Sequence, residues 1–402
     1  MTKPENSAGA LDGLRVLDLT RILAGPLCAQ TLGDMGAEVI KVEPPGAGDD
    51  TRTWGPPFAG GESAYFMGVN RNKRSLTLNM AVKSGQEILQ QLVKKCDVLV
   101  ENFKLGTLEK WGITNEWLEA NAPRVVRCSI TGYGSTGPDA ALPGYDFILQ
   151  AESGLMSICG DAEGTPTKYG VAIVDVVTGL YACNSILAAL AARSRTGRGQ
   201  HVEVCLYDSG LAMLINVAAS SLMTGKDARR FGNGHPNIVP YTTYPTADGM
   251  IAVAVGNDGQ FARFSEVAGH AEWARDARFA TNPARVANRN ALDDAIARAL
   301  KAGKSASWIE KLRAVGVPCG PINSVAEALS DPHTLARDMV RSIRHPAAGD
   351  LRMLGIPFRM KGTPPSIRRA PPLLGQHTEE VLATELGMSA ARIEQLRAEK
   401  VI

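Results

Sequence analysis

Leu14-Arg-Val-Leu-Asp-Leu19 reads as a short strand, Leu27 to Met35 as a helix, and Glu38-Val-Ile-Lys-Val-Glu43 as a second strand. Strand, helix and strand within about 30 residues make a βαβ unit, which favours a parallel sheet. Gly25-Pro26 ahead of the helix and Gly36 behind it are the punctuation expected at helix ends. No other feature of the chain constrains its fold as strongly.

The unit repeats. Helix Gly85 to Lys94 precedes strand Asp97-Val-Leu-Val-Glu101, and helix Asn115 to Asn121 precedes strand Arg124 to Ile130. Helix Val177 to Ala192 closes with Arg193, Arg195 and Gly197 before strand Gln200 to Cys205. Residues 1–225 are expected to form a large α/β domain with a Rossmann-like order of elements. From about Gly225 the texture changes. Thr242 to Val255 alternates like a hairpin around Asp248-Gly249, and helices follow near 259–268, 284–301 and 305–314. This gives a smaller α+β domain over 226–325. Residues 326–402 return to the large domain through helices, a Pro-rich extended segment (Gly355 to Pro372) and a terminal helix. That helix starts at Thr378, with Glu379 and Glu380 suited to its first turn.

A formal charge of +2 over 402 residues, with no basic stretch interleaved with aromatics, argues against nucleic acid as a partner. Seven scattered cysteines make no C-x-x-C pair, and six histidines make no H-x-x-x-H, so no metal site is expected. Free thiols fit a reducing compartment. Met1 to Ala10 lacks the features of a secretory or mitochondrial leader. No apolar run approaches the roughly 18 residues of a membrane span. The expectation is a cytoplasmic protein without a membrane partner.

Asp175 is the only charge in the apolar run Gly170-Val-Ala-Ile-Val-Asp-Val-Val-Thr-Gly179, which leads into a long helical pattern. A carboxylate there is either a helix cap or a reactive group aimed across a cleft. Tyr145-Asp146 offers a second acid, and two carboxylates in one site push their proton affinities apart. It could equally be another cap. Gly132-Tyr-Gly-Ser-Thr-Gly137 matches a dinucleotide fingerprint in letters, but Pro138 to Pro143 follows where a helix should open, so it reads as a turn. Asn70-Arg-Asn-Lys-Arg-Ser75 is the densest basic cluster, either a solvated loop or a phosphate partner. Asp49 to Phe58 is a long polar loop of the kind that often carries binding groups. Gly256-Asn-Asp-Gly259 is a lid or a strand exit. No serine sits in a G-x-S-x-G elbow.

Taken together, Leu11 to Thr20, Ala24-Gly-Pro26, Leu32 to Glu43, Asn70 to Ser75, Asp97 to Phe103, Gly170 to Gly179 and Pro372 to Thr378 resemble the class III CoA-transferases. That family includes formyl-CoA transferase, carnitine CoA-transferase and α-methylacyl-CoA racemase. The resemblance implies an interlocked homodimer, each subunit a Rossmann-like large domain plus a small domain. It makes Asp175 the nucleophile that attacks an acyl-CoA thioester, passing through an aspartyl anhydride and an aspartyl-CoA thioester, with Tyr145 and Asp146 nearby. CoA-contacting positions map to Ala24, Leu78, Asn79, Met80, Ala81, Asn102, Phe103 and Lys110. CoA and acyl-CoA enter as substrates, with no tightly bound cofactor.

Two positions depart from the family pattern. Pro44 follows Glu43 where some relatives carry arginine, and Lys110 stands where arginine can occur, so phosphate contacts through Arg71, Lys73 or Arg74 are expected. In the racemase branch a histidine precedes the acid of Gly144-Tyr-Asp146; tyrosine is a poorer base near neutral pH, so transfer is favoured over racemisation. A nicotinamide oxidoreductase and a non-catalytic acyl-CoA binder are the remaining alternatives. Asp49 to Phe58, Val69 to Ser75 and Pro371 to Thr378 are most similar to the succinyl-CoA:glutarate (hydroxymethylglutarate) group. This implies succinyl-CoA as donor and a short dicarboxylic acid as acceptor. Arg52, His235 and Asn237 are the candidates for its second carboxylate.

Overall fold

The computed structural model describes residues 8–402, so the first seven residues of the stretch read for a leader lie outside it. The chain divides into two compact units. One comprises the chain up to Leu155, Tyr169–Ala219 and His333–Ile402; the other comprises Met156–Lys168 and Ser220–Pro332. The sequence placed 156–168 in the large domain, whereas the structure groups it with the smaller unit.

The larger unit is built on six strands, β1 (Arg15–Asp18), β2 (Glu38–Glu43), β3 (Lys73–Thr77), β4 (Val98–Glu101), β5 (Val126–Thr131) and β6 (His201–Cys205). They lie in the order β3-β2-β1-β4-β5-β6, every neighbouring pair parallel. Its helices include α1 (Ala24–Asp34), α2 (Ala64–Gly68), α3 (Lys83–Val93), α4 (Asp146–Glu152), α5 (Ile173–Thr196), α6 (Thr378–Leu386) and α7 (Ala390–Ala398). Successive strand residues point to opposite faces, and both faces are apolar. Val16, Val39, Val98 and Val126 pack with Leu32 of α1 and Ile186 of α5. Leu17, Ile40, Leu76 and Leu99 pack with Leu89 of α3, Leu382 of α6 and Leu396 of α7. Strand order reverses between β1 and β4, and in such sheets ligands bind in the crevice beyond the carboxyl ends at that point.

α5 is 24 residues long, and by length and composition alone it could cross a membrane. This corrects the expectation that no run approaches a span, because Val176 to Ala192 inside the helix carries no charge. Its buried face, Val174, Thr178, Ala182, Ile186, Ala189 and Arg193, steps by three and four residues and lies against α1 and the sheet. A Cβ on Gly179 would sit 2.5 Å from the Ala24 carbonyl oxygen, so α1 and α5 meet backbone to backbone near their starts. The helix ends at Gly197, whose φ of 72° suits glycine and whose N–H returns to the Arg193 carbonyl at 2.8 Å.

The smaller unit carries a three-stranded antiparallel sheet, β7 (Tyr241–Pro245), β8 (Met250–Ala254) and β9 (Cys319–Pro321), around Tyr244, Phe261, Phe264 and Leu292. The expected helix over 284–301 is two, Asn282–Ala287 and Arg289–Leu300, divided at Asn288. Back in the larger unit, Val340–His345 (β10) and Gly349–Leu354 (β11) pair as a hairpin where the sequence suggested only helix and extended chain. Its link lacks an Asn-Gly or Asp-Gly pair, which removed the strongest local hairpin cue.

Candidate active site

The carboxyl ends of β1, β4 and β5 open into a cleft of about 390 Å³ lined by residues that include Arg21, Ala24, Asn102, Phe103, Tyr145 and Asp175. Five of these were expected from the sequence; Arg21 was not. Asp175 is the third residue of α5, half-buried, and its carboxylate accepts no hydrogen bond from the described residues. It is not the helix cap. Residue Ala172 at the cap position offers no side-chain bond. The role falls to Asp146, the first residue of α4, whose Oδ1 accepts the N–H groups of Val174 (2.8 Å) and Asp175 (3.3 Å). The pair read from sequence as two possible caps thus separates into one cap and one free acid. Burial, and after it the Asp146 charge, push the Asp175 carboxyl up to about 7.

Tyr65 was missed. An aromatic residue in Ala64-Tyr-Phe-Met67 carries no cue that distinguishes it from core. The Ser63 hydroxyl caps α2 by accepting the Tyr65 N–H at 3.1 Å, and Trp54 meets the ring edge-on at 5.2 Å. Burial first, and then the charges of Asp175 and Asp146, push its phenol up to about 12. Its phenol therefore stays neutral within the field of both acids.

The turn entering α1 is held from below. Lys41 Nζ donates to the Thr20 carbonyl and to Asp49, both at 2.8 Å, and Asp49 accepts the Ile22 N–H at 3.3 Å. Lys73 Nζ lies 2.9 Å from Asp18 and is fully buried, like Lys41. Ile22 sits at φ 72°, a region that β-branched residues rarely occupy and that surrounding structure must enforce. Asn102 contributes by spending its amide on the Arg21 backbone, accepting the N–H at 2.9 Å and donating to the carbonyl at 2.8 Å.

Several expected ligand residues are committed elsewhere. Arg71 pairs with Asp34 at 2.6 Å, and Arg74 with Glu380 and Glu385 at 3.1 and 2.8 Å. Lys73 is spent on Asp18, Asn70 and the Pro26 carbonyl. These buried cations hold the fold, since releasing one to a phosphate would strand its partner acid. Arg52 likewise grips Glu43 through two nitrogens and Glu62 through a third. Leu78 and Met80 belong to the core, and neither they, Asn79, Ala81 nor Lys110 line the cleft. His235 and Asn237 belong to the smaller unit. Gly132–Gly137 forms a turn, with Glu203 accepting the Ser135 N–H at 3.0 Å. Among the described residues no group of three or more His, Cys, Asp or Glu side chains is placed to hold a metal ion.

A free carboxylate with a raised proton affinity, at the mouth of a crevice and beside a tyrosine, can attack an electrophilic carbonyl. Comparisons with known proteins point the same way. Residues 11–378 match the model of CoA-transferase family III. The chain is 43% identical over 397 residues to the Mus musculus succinyl-CoA:glutarate CoA-transferase, covering 99% of this chain and 91% of that protein. It is 43% identical to the succinate–glutarate CoA-transferase of Agrobacterium fabrum (strain C58 / ATCC 33970), covering 95% and 97%. A crystal structure of a CAIB/BAIF family protein from Brucella suis superimposes with a TM-score of 0.83 at 45% identity, covering 94% of this chain and all of that one. The chain belongs to CoA-transferase family III, and its activity is CoA transfer.

Proposed function

We propose that the chain transfers CoA from succinyl-CoA to a short dicarboxylic acid, with Asp175 as the covalent relay. The observation that carries this reading is the uncapped carboxylate of Asp175 at the sheet crevice. Its oxygen attacks the thioester carbonyl and expels CoA thiolate, leaving an aspartyl–succinyl anhydride. The thiolate attacks the aspartyl carbonyl and releases succinate, leaving aspartyl-CoA. The acceptor carboxylate displaces the thiolate again, and thiolate attack on the acceptor's carbonyl returns Asp175 free. Each step exchanges one acyl bond for another, so thioester energy is conserved as long as water is kept out. The α5 N-terminus, in whose first turn Asp175 stands, favours developing negative charge. The donor and acceptor are those named for the similar mouse and Agrobacterium proteins.

The strand order supports a Rossmann-like reading of the larger unit. Exposed apolar side chains support a homodimer, which the reading takes as interlocked: Leu222 and Met223 are each 87% exposed, and the helix Ile215–Thr224 buries no residue. Seven free thiols fit a cytoplasmic setting.

Incubation with succinyl-CoA, trapping with borohydride or hydroxylamine, and peptide mass analysis test the relay. The expected result is a modified Asp175 peptide. Unmodified protein that exchanges solvent deuterium into the α-carbon of an acyl-CoA would overturn it. Equal use of monocarboxylates and C4–C6 diacids would remove the dicarboxylate assignment. Attack requires the ionised acid, and that acid titrates near 7. The first half-reaction is therefore expected to fall about tenfold per pH unit below that point, which a single-turnover pH profile measures.

A further inference from the structure

Gln150 is a polar side chain only 1% exposed, on α4. It stands one helical turn after Asp146 on the same face of α4. Its Nε2 donates to Asp146 Oδ2 at 2.7 Å and to the Val171 carbonyl at 3.5 Å, and its Oε1 accepts the Tyr169 N–H at 2.8 Å. Residues 169–172 lead directly into α5. One chain of hydrogen bonds therefore runs from the backbone ahead of α5, through Gln150, into Asp146, and back to the N–H groups of Val174 and Asp175.

We propose that Gln150 is a positioning residue for acyl transfer, setting the orientation of Asp146 and through it the place of Asp175 at the crevice. This rests on the relay role proposed for Asp175. α5 brings no cap of its own, so two N–H groups of its first turn depend on a carboxylate from another helix. A carboxylate turns freely unless its second oxygen is held, and Gln150 holds it. Gln150 also fixes its own direction, because its oxygen is committed to the Tyr169 N–H and only its nitrogen faces Asp146.

That polarity makes a specific test possible. Asp146→Asn cannot satisfy the chain: whichever way the two amides turn, one N–H meets another N–H. Gln150→Glu sets two carboxylates against each other. The double variant Asp146→Asn/Gln150→Glu rebuilds the chain with one donor reversed, giving up only the longer bond to the Val171 carbonyl. The amide oxygen at position 146 still takes the α5 N–H groups, and the amide nitrogen there donates to the carboxylate at position 150. That carboxylate still accepts the Tyr169 N–H. Net charge is unchanged, but the negative charge moves further from Asp175. The titratable and charged groups around Asp175 are Asp146 from α4 and Tyr65 from α2, which share its field, and Tyr145 and Arg21, which line the same cleft.

The experiment measures kcat, KM for succinyl-CoA, the pH profile of the first half-reaction and thermal unfolding, after Asp175 labelling has been checked in the unaltered protein. Each single variant and Gln150→Met are expected to lose about 10–100-fold in kcat with KM little changed. The double variant is expected to regain about tenfold over either single change. The acid limb is expected to move to lower pH in Asp146→Asn and to lie between that and the parent in the double variant. Gln150→Met with parental kcat and pH profile would overturn the proposal. So would a double variant that is unfolded or no better than the poorer single one. Absence of label on Asp175 in the unaltered protein would instead remove the relay reading, whatever the Gln150 variants do.

Discussion

Asp175→Ala is expected to lower turnover by about 10⁴-fold or more while leaving acyl-CoA binding within a few-fold of the parent. The cleft keeps its shape, because α5 is capped by Asp146 and not by Asp175. Nor can Asp146 stand in, since its oxygens are engaged by the helix and by Gln150. Retention of full transfer activity would end the covalent reading. A second consequence separates chemistry from folding. The carboxyl is raised from its ordinary value to about 7, so ionising it opposes the native state. Stability from the protonated form is fully present below the unfolded value of 3.8 and is lost as pH rises through about 7. Asp175→Asn, which never ionises, is therefore expected to be more stable than the parent at pH 8 by about 2 kcal/mol, after allowance for solvent in the cleft. Near pH 4 the two should match. Denaturant midpoints at both pH values, beside turnover, give the comparison.

Lys41→Met is expected to destabilise the protein by about 3–5 kcal/mol, the usual cost of stripping one partner from a buried ion pair. Lys41 and Asp49 both have side chains with no exposed surface, 2.8 Å apart. Without the ammonium, Asp49 keeps the N–H and hydroxyl of Thr51 and the Ile22 N–H but loses its charge partner, and the Thr20 carbonyl loses its donor. The turn that carries Ile22 in its left-handed conformation keeps the Asp49 bond to the Ile22 N–H but loses its anchor at Thr20. Activity is expected to fall faster than helix content, because that turn walls the cleft. Burial pulls the Lys41 proton affinity down, but Asp49, Asp18 and Glu43 outweigh it and hold it above 10.5. The pair's contribution is thus fully present up to about that pH and disappears only as pH rises through the higher folded-state value. Urea unfolding of parent and variant at pH 7, with an unchanged slope, provides the measure.

The parallel sheet was legible because each strand and helix declares itself within a dozen residues: alternation, an apolar run, a glycine at the end. Asp175 was legible for a similar reason, as one charge in an uncharged stretch. The fate of the basic cluster was not. Arg71 meets an acid on α1, and Arg74 meets Glu380 and Glu385 some three hundred positions along the chain. Nothing local says that these cations are spent inside, so residue type alone assigns them to phosphates. The choice between cap and nucleophile was equally non-local, resting on Asp146 reaching α5 from 28 residues upstream. The β10–β11 hairpin escaped because its side chains are mostly half-exposed or exposed and impose little apolar alternation.

The return of the chain along β3 bears on how the protein comes to be made. The Asn72 N–H and Oδ1 bond to the backbone of Arg368 and Arg369, and Ser75 exchanges bonds with His377 in both directions. The Thr77 N–H reaches the Thr378 hydroxyl at 3.0 Å. A ribosome has therefore released the whole sheet well before it delivers the segment that covers the outer edge of that sheet. During that interval β3 presents unpaired backbone groups, the kind of edge that recruits other strands. Growth temperature and chaperone supply are then expected to affect the soluble yield of this protein.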